Sequence, residues 1–125
     1  MDEKRLSRYY KLKCEIKDLE MRIKEFGDGV RGLQTKDVVI SGSGSNTSIQ
    51  EKLMLLQSQY MEKRVSALEE YIEIENYIDS VDDPEIRTMM RLRFLDLLSW
   101  EQIGQKVYLD RTNVARKVRK YIKGQ

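Results

Sequence analysis

Between residues 9 and 26 the apolar side chains keep one spacing. Tyr9, Leu12, Ile16, Leu19, Ile23 and Phe26 follow one another at intervals of 3, 4, 3, 4 and 3, which is the seam of a helix that lies against another helix. Lysines, arginines and glutamates fill the positions between. So narrow a stripe cannot sit alone in water, and it calls for a helical partner. The spacing predicts a helix over residues 3–26 and an all-α chain.

Gly27, Gly29 and Gly32, followed by Ser41-Gly-Ser-Gly-Ser-Asn-Thr-Ser48, make residues 27–48 read as a flexible linker, with Gly27 ending the helix. Val38, Val39 and Ile40 lie inside that stretch and read either as a local packing spot or as a short extended piece. A second helix is predicted from Ile49 to about Ser80, because Ser48 and Glu51 form a Ser-x-x-Glu capping box. At about 1.5 Å per residue it is roughly 45–50 Å long. Leu53, Leu56, Tyr60, Leu68, Tyr71, Ile74, Ile78 and Val81 supply its seam, with Lys63 and Arg64 interrupting the middle. Two such helices form either an antiparallel, coiled-coil-like hairpin or a pairing between subunits.

The signals after Asp82-Asp83-Pro84 are denser. Pro84 suits the first position of a helix capped by Asp83, and Ile86, Met89, Met90 and Phe94 give that helix an apolar side up to about Leu95. Ser99 and Gln102 form a second capping box, with Leu98 and Ile103 placed as a hydrophobic staple. This helix ends near Val107, and a third begins at Asp110, where Leu109 and Val114 repeat the staple. Two capped helices about three residues apart have the spacing of a helix-turn-helix. The expected organisation is a helical hairpin over residues 1–81 and a three-helix unit over 82–125 with its own caps and core.

At about 100° per residue, the last helix has two unlike faces. Val114, Val118, Tyr121 and Ile122 gather on one side; Thr112, Asn113, Arg116, Arg119, Lys120 and Lys123 gather on the other, with Arg111 and Lys117 on the flanks. Arginine binds guanine bidentately, asparagine binds adenine and lysine neutralises phosphate, so these eight residues are the candidate DNA-binding set. The alternative is a solvated basic face on an ordinary bundle. The paired capped helices and the short turn between them favour the first reading, and the charge distribution agrees with it. The chain carries only +2, yet residues 109–125 hold six cations and one acid, Asp110, so they sum to +5 and the remainder to −3. Such asymmetry points to a polyanionic partner for one end.

Trp100 reads as a packing residue, with a place against a DNA backbone as the alternative, and Glu69, Glu70, Glu73, Glu75 and Asp79 read as a solvated acidic face, with a docking surface for a basic partner as the alternative. One cysteine, Cys14, and no histidine leave neither a disulfide framework nor a zinc site. No nucleotide-binding glycine pattern is present. The expectation is a non-enzymatic, cytoplasmic protein without cofactor, metal or membrane span.

Residues 86–120 resemble region 4 of sigma-70-type factors. The likeness rests on Arg91-Leu-Arg-Phe, Leu98-Ser-Trp-Glu-Gln-Ile-Gly104 and Asp110-Arg-Thr-Asn-Val-Ala-Arg-Lys117. With Asp82-Asp-Pro-Glu-Ile-Arg-Thr88 ahead of them, the chain is similar to phage and prophage transcriptional regulators of the RinA and ArpU late-gene activator type; over residues 1–81 only the layout matches. The resemblance implies that Arg111, Thr112, Asn113, Arg116 and Lys117 occupy the base-reading segment of a sequence-specific regulator, with RNA polymerase as a further partner. Homo-oligomerisation through the N-terminal helices is the other partner reading. Sigma-type turns usually carry glycine where this chain has Tyr108; either the turn keeps a positive φ there, which is costly for tyrosine, or it takes a different shape and changes the helix tilt. Two other functions fit the same layout: a phage small terminase subunit, and a polymerase-interacting module with little DNA binding of its own.

Overall fold

The computed structural model describes residues 1–36 and 43–124. Among these the chain is helical and contains no strand: α1 Glu3–Leu6, α2 Arg8–Lys36, α3 Ser43–Asp79, α4 Pro84–Met90, α5 Trp100–Val107 and α6 Arg111–Lys123, with a π-helical segment Arg91–Leu95 continuing α4. The all-α class stands as expected. No helix among the described residues is long and apolar enough to cross a membrane.

Two of the expected boundaries move. Gly27 does not end its helix, since α2 runs on to Lys36, and α3 already begins at Ser43, ahead of the Ser48 capping box. The described parts of the 27–48 linker are therefore helix; Val38, Val39 and Ile40 lie outside the described residues. Glycine costs a helix interior only about 1 kcal/mol relative to alanine, and serine or asparagine less. Once a helix is nucleated, each added residue brings its own hydrogen bond. A few weak formers next to a long helix therefore do not stop it.

The chain divides into two compact units, Leu12–Ser66 and a second made of Met1–Lys11 with Ala67–Gln125. In the first, α2 and α3 run antiparallel within one chain. Lys63 pairs with Glu15 at 2.6 Å, and the Tyr60 hydroxyl donates to Glu20 at 2.6 Å; Ile16 and Leu56 are buried there. That hydrogen bond to Glu20 is also the main cause that holds the Tyr60 phenol above its ordinary pKa.

The second unit reaches beyond the expected boundary at residues 81 and 82. Leu6 at the N-terminus and Ile74, Ile78 and Val81 from the end of α3 are as buried as Met89, Met90, Ile103, Val114 and Val118. Tyr9 packs edge-on against Tyr71, with ring centroids 5.5 Å apart and planes at 68°. Arg5 bridges Glu70 and Glu73, and Arg91 pairs with Asp79, so three members of the expected solvated acidic face hold neighbouring elements. The 82–125 segment thus shares its core with residues 1–11 and with the end of α3.

Ala67 is the buried residue in the middle of α3, and Leu68, expected in the seam, is exposed. One step along a helix turns a side chain by about 100°, so Ala67 and Leu68 cannot both face inward.

Candidate nucleic-acid interface

The caps that set up α4 and α5 form as their sequence suggests. Asp83 accepts from the backbone N–H groups of Glu85 and Ile86 ahead of α4. Ser99 accepts from the Gln102 N–H at 3.1 Å while Gln102 returns an acceptor to the Ser99 N–H at 2.9 Å. Asp110 takes the N-cap position of α6 with extended backbone, but its side chain makes no capping hydrogen bond.

Both reversals between these helices use a non-glycine residue in the left-handed region. Leu97 has φ 61° after the π-helical segment, and Tyr108 has φ 59° after α5. At the second, the Leu109 N–H closes onto the Gly104 carbonyl at 3.0 Å, the long bond of a Schellman turn. The Tyr108 ring is 92% exposed, so its burial does nothing to offset the backbone conformation. Left-handed backbone costs a side-chain-bearing residue roughly 1–2 kcal/mol. Replacing Tyr108 with glycine is therefore expected to stabilise the protein by about 1 kcal/mol after glycine's extra unfolded-state entropy is subtracted. A urea midpoint that fails to rise for Tyr108→Gly would contradict the strained turn.

The turn places α6 with Val114, Val118 and Ile122 buried. Fully burying such aliphatic side chains is worth about 1.5–3 kcal/mol each, which fixes the rotation of the helix. Its other face is then held outward. Arg111, Thr112, Arg116, Arg119, Lys120 and Lys123 line an open groove of about 900 Å³ whose opposite wall is Arg93, Ser99, Trp100 and Glu101. Six of the eight expected site residues thus come together. Asn113 and Lys117 do not line this groove. Asn113 is half-buried and its Oδ1 accepts from an Arg116 N–H at 2.8 Å. Lys117 pairs with Glu85 on α4 at 3.2 Å.

Three further residues take part, of which the sequence singles out only Trp100. Arg93 lies over the Trp100 indole at 4.4 Å and Arg119 over the same ring at 5.6 Å, distances at which a guanidinium is attracted by the ring face. Arg93 also donates to the Leu98 carbonyl at 3.1 Å, which ties the groove wall to the turn before α5. Burial pushes the Arg93 guanidinium below its ordinary pKa, opposed by Glu3 and reinforced by Arg119; an arginine so placed still stays charged. The third is Glu3, whose two carboxylate oxygens accept from Arg119 at 3.2–3.3 Å. Arg93 stands in the Arg-Leu-Arg-Phe motif, which could have flagged it. Nothing local marks Glu3, which lies far from Arg119 in sequence.

The described residues contain no group of three or more acidic, cysteine or histidine side chains that could hold a metal ion. The groove instead offers cationic and hydroxyl donors on a helix, beside an aromatic wall. No protein-family model, curated protein or solved structure matches the chain.

Proposed function

We propose that this chain binds double-stranded DNA, with α6 in the major groove, as a sequence-specific transcriptional regulator of phage or prophage genes. The observation that carries the reading is the division of α6: three aliphatic residues buried on one side and five cations exposed in one groove on the other. Guanidinium groups spaced along one helix face can reach guanine edges, and ammonium groups can hold the phosphates on either side. The two caps and the closed turn ahead of α6 hold that face in place before any ligand arrives.

A binding selection on a randomised duplex library tests it. The wild-type protein is expected to enrich one motif. Arg111→Ala, which removes a guanidinium that lines the groove, should relax the preference at one or two base pairs, since a bidentate arginine–guanine contact is worth about 1–3 kcal/mol. Lys123→Ala, at the far end of α6, should weaken all sequences about equally. If the wild type enriches nothing, base reading fails, and packaging or polymerase docking becomes the better account.

A further inference from the structure

Helix α3 carries a second apolar stripe. Met54, Met61, Val65, Leu68 and Ile72 are each between 51% and 67% exposed. Their intervals of 7, 4, 3 and 4 put them within about 60° of one another around the helix. The stripe is centred roughly 135° from the line through Leu56, Ala67, Ile74 and Ile78, the buried residues of the same helix. A solvated helix face ordinarily carries charge, not five large apolar side chains at heptad spacing.

We propose that this stripe is the seam of a parallel, two-stranded coiled coil between two copies of the chain. Two observations select that occupant and that direction. First, the heptad register puts Val65 and Ile72 at a positions and Met54, Met61 and Leu68 at d positions. β-Branched residues at a with unbranched-Cβ residues at d favour a parallel pair of strands. Second, the charges flanking the stripe complement a parallel copy. Arg64 stands at g on one flank and Glu69 at the following e on the other, and both are exposed. In a parallel pair, Arg64 of each copy meets Glu69 of the other, twice by symmetry. An antiparallel pair would set Glu62 of one copy against Glu69 of the other. Ser58, the polar residue at the remaining a position, weakens the seam at one layer. The dimer carries two α6 helices, the stoichiometry a two-fold operator takes. The proposal does not rest on DNA binding and is tested without DNA.

Sedimentation of the full chain over a wide concentration range should show a monomer–dimer equilibrium. Leu68→Asp should raise the dimer dissociation constant by about a hundredfold or more, because it puts a carboxylate from each copy into an apolar seam. Leu68 is exposed in the single chain, so the circular dichroism of Leu68→Asp should match the wild type at concentrations where both are monomeric. Arg64→Glu should weaken the dimer, and Arg64→Glu combined with Glu69→Arg should restore it. In a Cys14→Ser background, Met54→Cys should oxidise to a covalent dimer, because the parallel register brings position 54 to its own counterpart. A chain that stays monomeric at millimolar concentration overturns the proposal. So does a dimer indifferent to Leu68→Asp, or one whose Met54→Cys variant forms no covalent dimer on oxidation.

Discussion

Gly104→Ala is expected to destabilise the protein by about 2 kcal/mol, although alanine is the better helix former. In most helix interiors this exchange gains about 1 kcal/mol. Here the added Cβ would stand 2.4 Å from the Leu109 carbonyl oxygen and 3.4 Å from the Arg111 nitrogen. Both are backbone atoms, so no side chain can swing aside. The Leu109 peptide is moreover held by its own hydrogen bond to the Gly104 carbonyl. Relief requires α5 to move away from the turn that starts α6, and overpacking of this kind costs about 1–3 kcal/mol or more. Gly27→Ala supplies the opposite case, since Gly27 lies within α2 and its added Cβ would meet nothing within 4 Å; it should stabilise by about 1 kcal/mol. Trp100 is the single tryptophan, so urea unfolding followed by its fluorescence reports on the affected region directly. Equal midpoints for Gly104→Ala and wild type would mean that α5 and the turn are not in contact.

The largest functional effect is expected from Arg116→Glu combined with Lys120→Glu. Both side chains are exposed on the groove face of α6, away from the buried Val114, Val118 and Ile122, so the helix should keep its place. Hydrogen bonds to charged groups contribute about 1.5–3 kcal/mol each. Losing two of them lowers duplex affinity by at least about a hundredfold, and two carboxylates facing a phosphate backbone add repulsion. The pair should abolish detectable binding to the selected duplex while the circular dichroism spectrum and the Trp100 emission stay as in the wild type. Retained affinity in a folded double variant would remove this face from the interface.

The readable parts of this fold are those that neighbouring residues decide. Ser99 and Gln102 cap each other across three residues, Asp83 caps a helix opened by proline, and Tyr108 stands where the turn needs a positive φ. The two faces of α6 are likewise legible, because a period of 3.6 separates Val114 and Val118 from Arg116 and Lys120 without reference to the rest of the chain. What escaped depends on distant residues or on competition between weak signals. The glycines after Phe26 look like a stop, yet helix propagation from a long neighbour outweighs their modest propensity. Leu6 and Glu3 belong with the last three helices, and only tertiary packing brings them there. The π-helical segment at Arg91–Leu95 has no sequence mark that distinguishes it from a continuing α-helix. Within the site, Arg93 and Trp100 were visible as residues but not as a stacked pair, because the pairing depends on how α5 returns past the preceding turn.

Glu3 and Glu85 already answer two cations of α6, Arg119 and Lys117. On the proposed reading, a phosphate arriving at either one takes the place of a carboxylate instead of filling an empty position. The displaced carboxylate then recruits a sodium or potassium ion from solution, which cancels part of the counterion release that usually drives association with DNA. The complex should therefore respond to ionic strength as if it had fewer cations than α6 carries. Such a chain also holds stray polyanions more loosely than its basic end suggests. Contacts to base edges, which add no ions to this balance, gain weight relative to the phosphate contacts.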